Sequence, residues 1–116
     1  MDSPHADSTV AALAWLLASD EPAVRYLARR DLLDDADSAA AAADAAKVLE
    51  GPKVRALLAG QRPNGGFGVH PYRKWIGAHW RLVSLVELAA PAGEPRLLAA
   101  ASTVLDWLAG PRIAAA

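Results

Sequence analysis

The chain has no cysteine, only one methionine and one phenylalanine, and no excess of either charge sign. The missing cysteine excludes disulfides and cysteine-based zinc sites, and it fits a reducing compartment. With 12 basic and 13 acidic residues the net charge is −1, which gives no electrostatic reason to expect a nucleic-acid partner or an anionic membrane. No apolar run approaches the ~20 residues of a membrane-spanning helix, and the polar N-terminus is unlike a signal peptide. We therefore expect a cytoplasmic protein without a membrane span.

No segment alternates apolar and polar residues for long enough to predict a strand. The chain has instead apolar residues at helical spacing, interrupted by short Pro/Gly connectors, which predicts an all-α fold of helical hairpins. The pattern predicts one helical domain over residues 8–110 with flexible tails at residues 1–7 and 111–116. Within it we expect a helix pair at 8–34 capped by Ser8 or Thr9, an alanine-rich helix at 38–50 capped by Ser38, and a further repeat at 53–110.

The apolar spacing also predicts which helix faces are buried. A helix beginning near Tyr72 or Arg73 and running to Ala90 carries a broad apolar face, as in a helix buried on two sides. Arg25, Arg29 and Arg30 are expected to face water. The face of the later helix comprises Ile76, Trp80, Val83 and Val86, with Leu82, Leu85 and Ala89 beside it. The stripe of the last helix comprises Leu97, Ala101, Val104, Leu105 and Leu108.

The titratable residues form no recognisable catalytic or metal-binding pattern. Asp34, Asp35 and Asp37 could hold Mg²⁺, but their spacing is more typical of a solvated linker before a helix N-terminus. His5, His70 and His79 are too far apart in sequence for a local metal motif. We predict no catalytic residue, no metal and no cofactor for this chain.

Aromatic side chains concentrate in one short stretch, which contains Tyr72, Trp75 and Trp80. His79 follows Trp75 by four residues, so a helix would place both on one face. A packed core is the simpler interpretation of these four residues. The alternative is a wall of π-faces for an apolar ligand or a carbocation, which gives Tyr72, Trp75, His79 and Trp80 as candidate ligand-binding residues.

A glycine turn at residues 64–68 precedes this stretch, and it starts from Gln61. Gln61, Gly65 and Phe67 have the form Q-x-x-x-G-x-aromatic. This resembles the repeat of the squalene–hopene and other terpene cyclases and of the protein prenyltransferase β subunits. The resemblance implies an α/α-toroid, in which the glutamine bonds toward the start of a neighbouring helix and the aromatic ring stacks on it. Gly65 and Gly66 would allow the tight turn. Replacing either with valine should lower the free energy of unfolding by more than ~1 kcal/mol if that glycine has a positive φ.

The resemblance covers residues 54–110, and it implies an incomplete ring that binds an apolar, isoprenoid-like ligand without its own catalytic acid. Such a chain is expected to be the N-terminal portion of a longer toroid or a short relative that self-associates. A rival resemblance lies in residues 20–28, which resemble the second helix of a HEAT-type repeat and its D-x-x-V-R-x-x-A pattern, although Asp20 lies one position farther from Val24 than in that pattern. That alternative implies a helical scaffold for protein–protein interaction.

Overall fold

The computed structural model describes residues 4–110, with side chains from Asp7 onward, and this part of the chain is entirely helical. The tail expected at residues 111–116 lies outside the described residues. Six α-helices and one 3₁₀ turn follow each other without a strand in the described chain. They are α1 (Pro4–Leu17), α2 (Pro22–Asp31), α3 (Ala39–Ala46), the 3₁₀ turn (Val48–Glu50), α4 (Pro52–Leu58), α5 (Ala78–Glu87) and α6 (Pro95–Leu108). The all-α prediction is confirmed.

Proline and short polar side chains set several helix starts. Pro22, Pro52 and Pro95 open α2, α4 and α6, where the missing N–H needs no partner. Ser38 caps α3, as the sequence predicted, because its Oγ accepts the N–H of Ala41 at 3.0 Å. α1 begins at Pro4 rather than at Ser8 or Thr9, since a proline at the first helical position already has a helical φ.

Each helix packs mainly against its neighbours along the chain. α1 contacts α2, α2 contacts α3, α4 contacts α5 and the 3₁₀ turn, and α5 contacts α6. The radius of gyration is 17.9 Å, against about 13 Å for a compact domain of this length. The principal extents of 65 × 27 × 23 Å describe an elongated molecule. This is the form that consecutive packing of helical units gives.

The core consists of two small apolar clusters. One lies where the start of α2, the 3₁₀ turn, α4 and α5 meet, and it contains Ala23, Val48, Val54, Leu58 and Leu85. The second lies between α5 and α6, and it contains Ala78, Ala100 and Val104 with the half-buried Phe67, Leu82 and Trp107 beside them. No helix among the described residues has both the length and the apolar character needed to cross a membrane.

Two of the predicted arginine orientations are wrong. Arg25 and Arg29 turn toward α3, where Arg25 Nε donates to Asp44 Oδ1 at 2.9 Å and Arg29 Nε lies 3.5 Å from Asp44 Oδ2. Only Arg30 is exposed, and it pairs with Asp31. The prediction failed because α3 is almost all alanine in sequence, while its one carboxylate lies on the face that packs against α2.

The predicted start of α5 is also wrong. The helix begins at Ala78 instead of Tyr72 or Arg73, and residues 71–77 form successive turns. The chain doubles back so closely that a side chain at Gly77 would meet the backbone of His70, Pro71 and Arg73. A continuous helix beginning at Tyr72 or Arg73 would not bring Gly77 against His70 and Pro71. The glycine at this position therefore allows the fold-back.

The two predicted apolar faces differ from those observed. On α5 the buried residues are Ala78 and Leu85, and Leu85 was predicted beside the apolar face. Val83 and Val86 are exposed because α4 and α6 cover only part of the helix, and Ile76, in the turns before α5, is exposed as well. On α6 the buried stripe is rotated by about one residue, so that Leu105 and Leu108 are exposed. The stripe that faces α5 and the core contains Leu97, Ala100, Val104 and Trp107.

Candidate ligand-binding site

The four aromatic residues singled out from the sequence lie together. The rings of Tyr72 and His79 are nearly parallel with centroids 4.8 Å apart, and Tyr72 also lies 6.0 Å from Trp80. Trp80 contacts Trp75 at 5.4 Å and meets His79 edge-on at 5.0 Å. These separations are typical of favourable aromatic pairs. We call this group, with the two residues described next, the aromatic cluster.

The aromatic cluster has two members that the sequence interpretation missed. Trp107 of α6 lies 5.3 Å from Tyr72, and His70 meets Trp107 edge-on at 4.9 Å. The signal for Trp107 was its spacing, because it follows Ala100 by seven residues and Val104 by three and so lies on the same helix face. The predicted stripe runs through Leu105 and Leu108 and therefore does not include Trp107.

The turns before α5 position the cluster. His70 Nδ1 accepts the backbone N–H of Tyr72 at 3.0 Å, and Pro71 O accepts that of His79 at 2.9 Å. Trp75 has φ +68°, a left-handed conformation that is unfavourable for a bulky residue, and its side chain is 68% exposed. A strained backbone that presents an aromatic ring to the exterior is more typical of a functional position than of a packing one.

An open apolar groove continues the cluster along α5. It has a volume of about 320 Å³, at the lower end of the range for small-molecule sites. Val83 and Val86 on its floor are exposed, and His79 joins it to the aromatic cluster. The lining residues are His79, Leu82, Val83, Val86 and Glu87. A larger groove of about 540 Å³ lies between α4 and α5, but it has no aromatic residue and is flanked by Lys53 and Glu87.

The polar groups near the cluster do not form a catalytic arrangement. The indole Nε1 of Trp80 is buried and has no hydrogen-bond partner within the described chain. The ammonium of Lys74 lies 5.2 Å from the centre of the Trp75 ring, within the range of a cation–π contact. Glu87 is the one carboxylate lining the groove. This arrangement can bind an apolar group and orient it against π-faces, but it presents no activated nucleophile.

Among the side chains that the structure describes, from Asp7 to Gly110, no group of three or more His, Cys, Asp or Glu could hold a metal ion. The linker aspartates have local roles instead. Asp35 lies 3.7 Å from the guanidinium of Arg29, and its backbone carbonyl accepts the Ser38 hydroxyl. Asp34 has φ +50° and follows the C-terminal end of α2. These contacts end one helix and begin the next.

Gln61 connects the glycine turn to α6. Its Nε2 donates to Gly65 O at 3.0 Å and to Arg96 O, in the first turn of α6, at 2.7 Å. Gly65 has φ +90°, and a side chain there would overlap the backbone carbonyl of Ala99. Gly66 does not have a positive φ, so only Gly65 of the two predicted glycines requires a left-handed conformation.

Phe67, the aromatic residue of the motif, packs at the edge of the cluster formed by Ala78, Ala100 and Val104. The guanidinium of Arg81 lies over its ring at 4.4 Å from the centroid. Arg81 also donates to Leu57 O at 2.9 Å and to Ile76 O at 2.8 Å. This one side chain therefore connects the end of α4, the turns before α5 and the Phe67 ring.

Comparison of the chain with protein-family models, with curated proteins and with solved structures finds no match.

Proposed function

We propose that this chain is a cyclase-like α/α-toroid module that binds an apolar, isoprenoid-like ligand and has no catalytic acid or metal site of its own. The observation that carries the proposal is the continuity of the aromatic cluster with the apolar groove on α5. Tyr72, Trp75, His79 and Trp80 supply the π-faces, and the groove supplies an aliphatic surface.

The exposure of this surface favours binding over simple packing. Trp75 and Val86 are each 68% exposed and Tyr72 is 48% exposed. Covering ~100 Å² of such surface is worth about 2.5 kcal/mol at ~25 cal/mol per Å². A branched polyene matches both parts of the site, because its double bonds stack on aromatic faces and its methyl groups fit between valine side chains.

The toroid interpretation draws support from the turn that precedes α5. Gln61 binds the first turn of a neighbouring helix, which is the role that the resemblance implies for it. The exposed side of α5 would then face the interior of a ring, and α6 would be the next outer helix. Additional helices or a second copy of the chain would complete the enclosure, because repeat modules bury their faces against neighbours.

Titration of the purified chain with farnesol or a squalene analogue, followed by tryptophan fluorescence, tests the proposal. Two valines of equal exposure, Val86 in the groove and Val10 on α1, provide matched variants. We expect saturable binding that Val86→Asp abolishes and Val10→Asp leaves unchanged, with both variants folded. Trp75→Ala should weaken binding, whereas Trp15→Ala, which removes an exposed indole on α1, should not. Equal effects in the paired variants would refute the proposed site.

The second candidate function is a HEAT-like scaffold for protein–protein interaction. The elongated shape and the consecutive helix packing favour it, as do the exposed side chains of Leu98, Leu105 and Leu108 along α6. If this function is correct, light scattering of the purified chain should detect a complex of two or more copies, and Leu98→Asp with Leu105→Asp should disrupt it. The chain should then not bind farnesol. A monomer that binds the polyene would exclude it as the main function.

A further inference from the structure

The turns before α5 form an exposed segment with unusual chemistry. We call residues 69–76 the basic–aromatic loop. Every residue of the loop except Pro71 is exposed. Its aromatic and aliphatic side chains are Val69, Tyr72, Trp75 and Ile76. Its two adjacent cations are Arg73 and Lys74. Apolar side chains this exposed on a monomeric surface mark an interaction site when they are contiguous.

The basic–aromatic loop is held in one shape by its own backbone. Arg73 N donates to His70 O at 2.9 Å, Gly77 N donates to Arg73 O at 2.8 Å, and Ile76 N donates to Lys74 O at 2.9 Å. Gly77 is buried against the loop backbone, where any side chain would collide. The exposed side chains are therefore presented without the entropy loss that ordering a flexible loop would require.

The net charge of the chain is only −1, but the charges are unevenly distributed along the sequence. Residues 53–86 contain six Lys or Arg and no Asp or Glu, whereas residues 1–52 contain ten Asp or Glu and four Lys or Arg. Within the described residues, this acidic half contains α1 to α3, of which α2 packs against both others. The Debye length at physiological ionic strength is only about 8 Å, so acidic side chains farther than this from the loop contribute little to the potential at a surface that the loop contacts.

We infer that the basic–aromatic loop docks the protein on the surface of an anionic lipid bilayer. Indole and phenol rings partition to the interface between headgroups and acyl chains, and Ile76 adds an aliphatic contact. The exposed Arg73 and Lys74, which directly precede Trp75, would bind lipid phosphates while the Trp75 ring inserts. The Arg/Lys contribution to such binding is about fivefold in affinity per residue near the surface. This inference does not rest on the proposed isoprenoid ligand. Tyr72 and Trp75 belong to both surfaces, but the groove on α5 is not part of the docking surface.

The test is co-sedimentation of the full chain with vesicles of phosphatidylcholine alone or mixed with phosphatidylglycerol, without any isoprenoid. We expect binding to the anionic vesicles only, with a blue shift of tryptophan emission and quenching by brominated lipid. Binding should fall at about 1 M salt, where the Debye length is ~3 Å. Arg73→Gln with Lys74→Gln should weaken binding roughly 25-fold, at about fivefold per cation. The control pair Arg30→Gln with Lys47→Gln, both exposed and outside the basic stretch, should change it little.

Trp75→Asn supplies the second arm, since asparagine tolerates the left-handed backbone of this position. We expect this variant to keep its circular dichroism spectrum and to lose the quenching by brominated lipid. Ile76→Asn provides an independent change in the same loop. Absence of vesicle binding, or binding that these variants leave unchanged, would overturn the inference. An equally tight, Trp75-dependent complex with polyglutamate would also overturn it, in favour of an acidic protein partner. Val86→Asp should abolish farnesol binding and leave vesicle binding intact, so the two proposals fail separately.

Discussion

The carboxylate of Glu21, at the start of α2, accepts the backbone N–H of Lys53 at the start of α4 at 3.0 Å. Glu21 is only 1% exposed, and its Oε1 has no hydrogen-bond partner among residues 4–110. A buried carboxylate is stabilised here by the free amides and the positive end of the helix dipole of α4. It joins two helices that are more than 20 residues apart in the chain.

Replacing Glu21 should therefore destabilise the fold. Glu21→Ala removes a buried helix cap and leaves the Lys53 N–H without its acceptor, so we expect the free energy of unfolding to fall by about 1–3 kcal/mol. Glu21→Gln keeps an acceptor oxygen and should cost less. Urea denaturation followed at the helix circular dichroism band measures both. Glu50→Ala, at an exposed glutamate, is the control and should stay within ~0.5 kcal/mol of the native protein. A Glu21→Ala variant as stable as this control would show that the contact contributes nothing.

Local signals in the sequence predicted the helices, whereas contacts between distant residues could not be predicted. The Ser38 cap and the proline starts depend on residues within one turn, so the sequence shows them directly. The Glu21–Lys53 and Gln61–Arg96 contacts join residues 32 and 35 positions apart. Their pairing depends on how the helices pack, which a single sequence leaves open.

The candidate site was predicted only in part, again because the sequence shows local proximity and not tertiary contacts. Tyr72, Trp75, His79 and Trp80 lie within nine residues, so almost any compact local structure brings them together. The predicted helix is nevertheless wrong over residues 72–77, because the backbone folds back at Gly77 and the apolar spacing does not reveal this. Trp107 joined the cluster through tertiary packing.

The two adjacent glycines of the turn should respond differently to substitution. Gly65 has positive φ and lies against the carbonyl of Ala99, so Gly65→Ala should lower the free energy of unfolding by more than ~1 kcal/mol. Gly66 lacks a positive φ, and a β-carbon there would meet only the side chain of Asn64, at 3.3 Å, and more distantly that of Thr103. Gly66→Ala should therefore cost much less. Thermal unfolding of the two variants, side by side, measures the difference, and equal losses would contradict the described turn.

Acid should weaken the start of α6. Glu94 accepts the side-chain Nε of Arg96 at 2.8 Å and its backbone N–H at 3.4 Å. These hydrogen bonds, the side-chain one foremost, lower the pKa of Glu94 below its ordinary value of 4.5. Because the folded-state pKa is the lower one, the contact stabilises the fold above pH ~4.5 and is lost as the pH falls toward the folded-state pKa.

The measurement for Glu94 is the urea midpoint between about pH 7 and about pH 3. Glu94→Gln should flatten the acid side of this profile, and Arg96→Gln, which removes the partner instead, should flatten it similarly. The difference should shrink at high salt, since Arg96 is about half exposed. A Glu94→Gln profile with the full native decline would show that the pair does not contribute.

At position 75 the glycine variant should be more stable than the alanine variant, and at position 74 the order should be reversed. At φ +68° an L-residue is strained, and glycine is not, so Trp75→Gly should exceed Trp75→Ala by about 1 kcal/mol in the free energy of unfolding. Lys74, whose φ is not positive, gives the matched control, where glycine should be the less stable of the two variants. Urea denaturation of the four variants measures this crossed pattern. Both variants lack the Trp75 ring, so both should weaken farnesol and vesicle binding to a similar extent whichever of the two is more stable. Full binding in either variant would contradict the proposed role of the Trp75 ring.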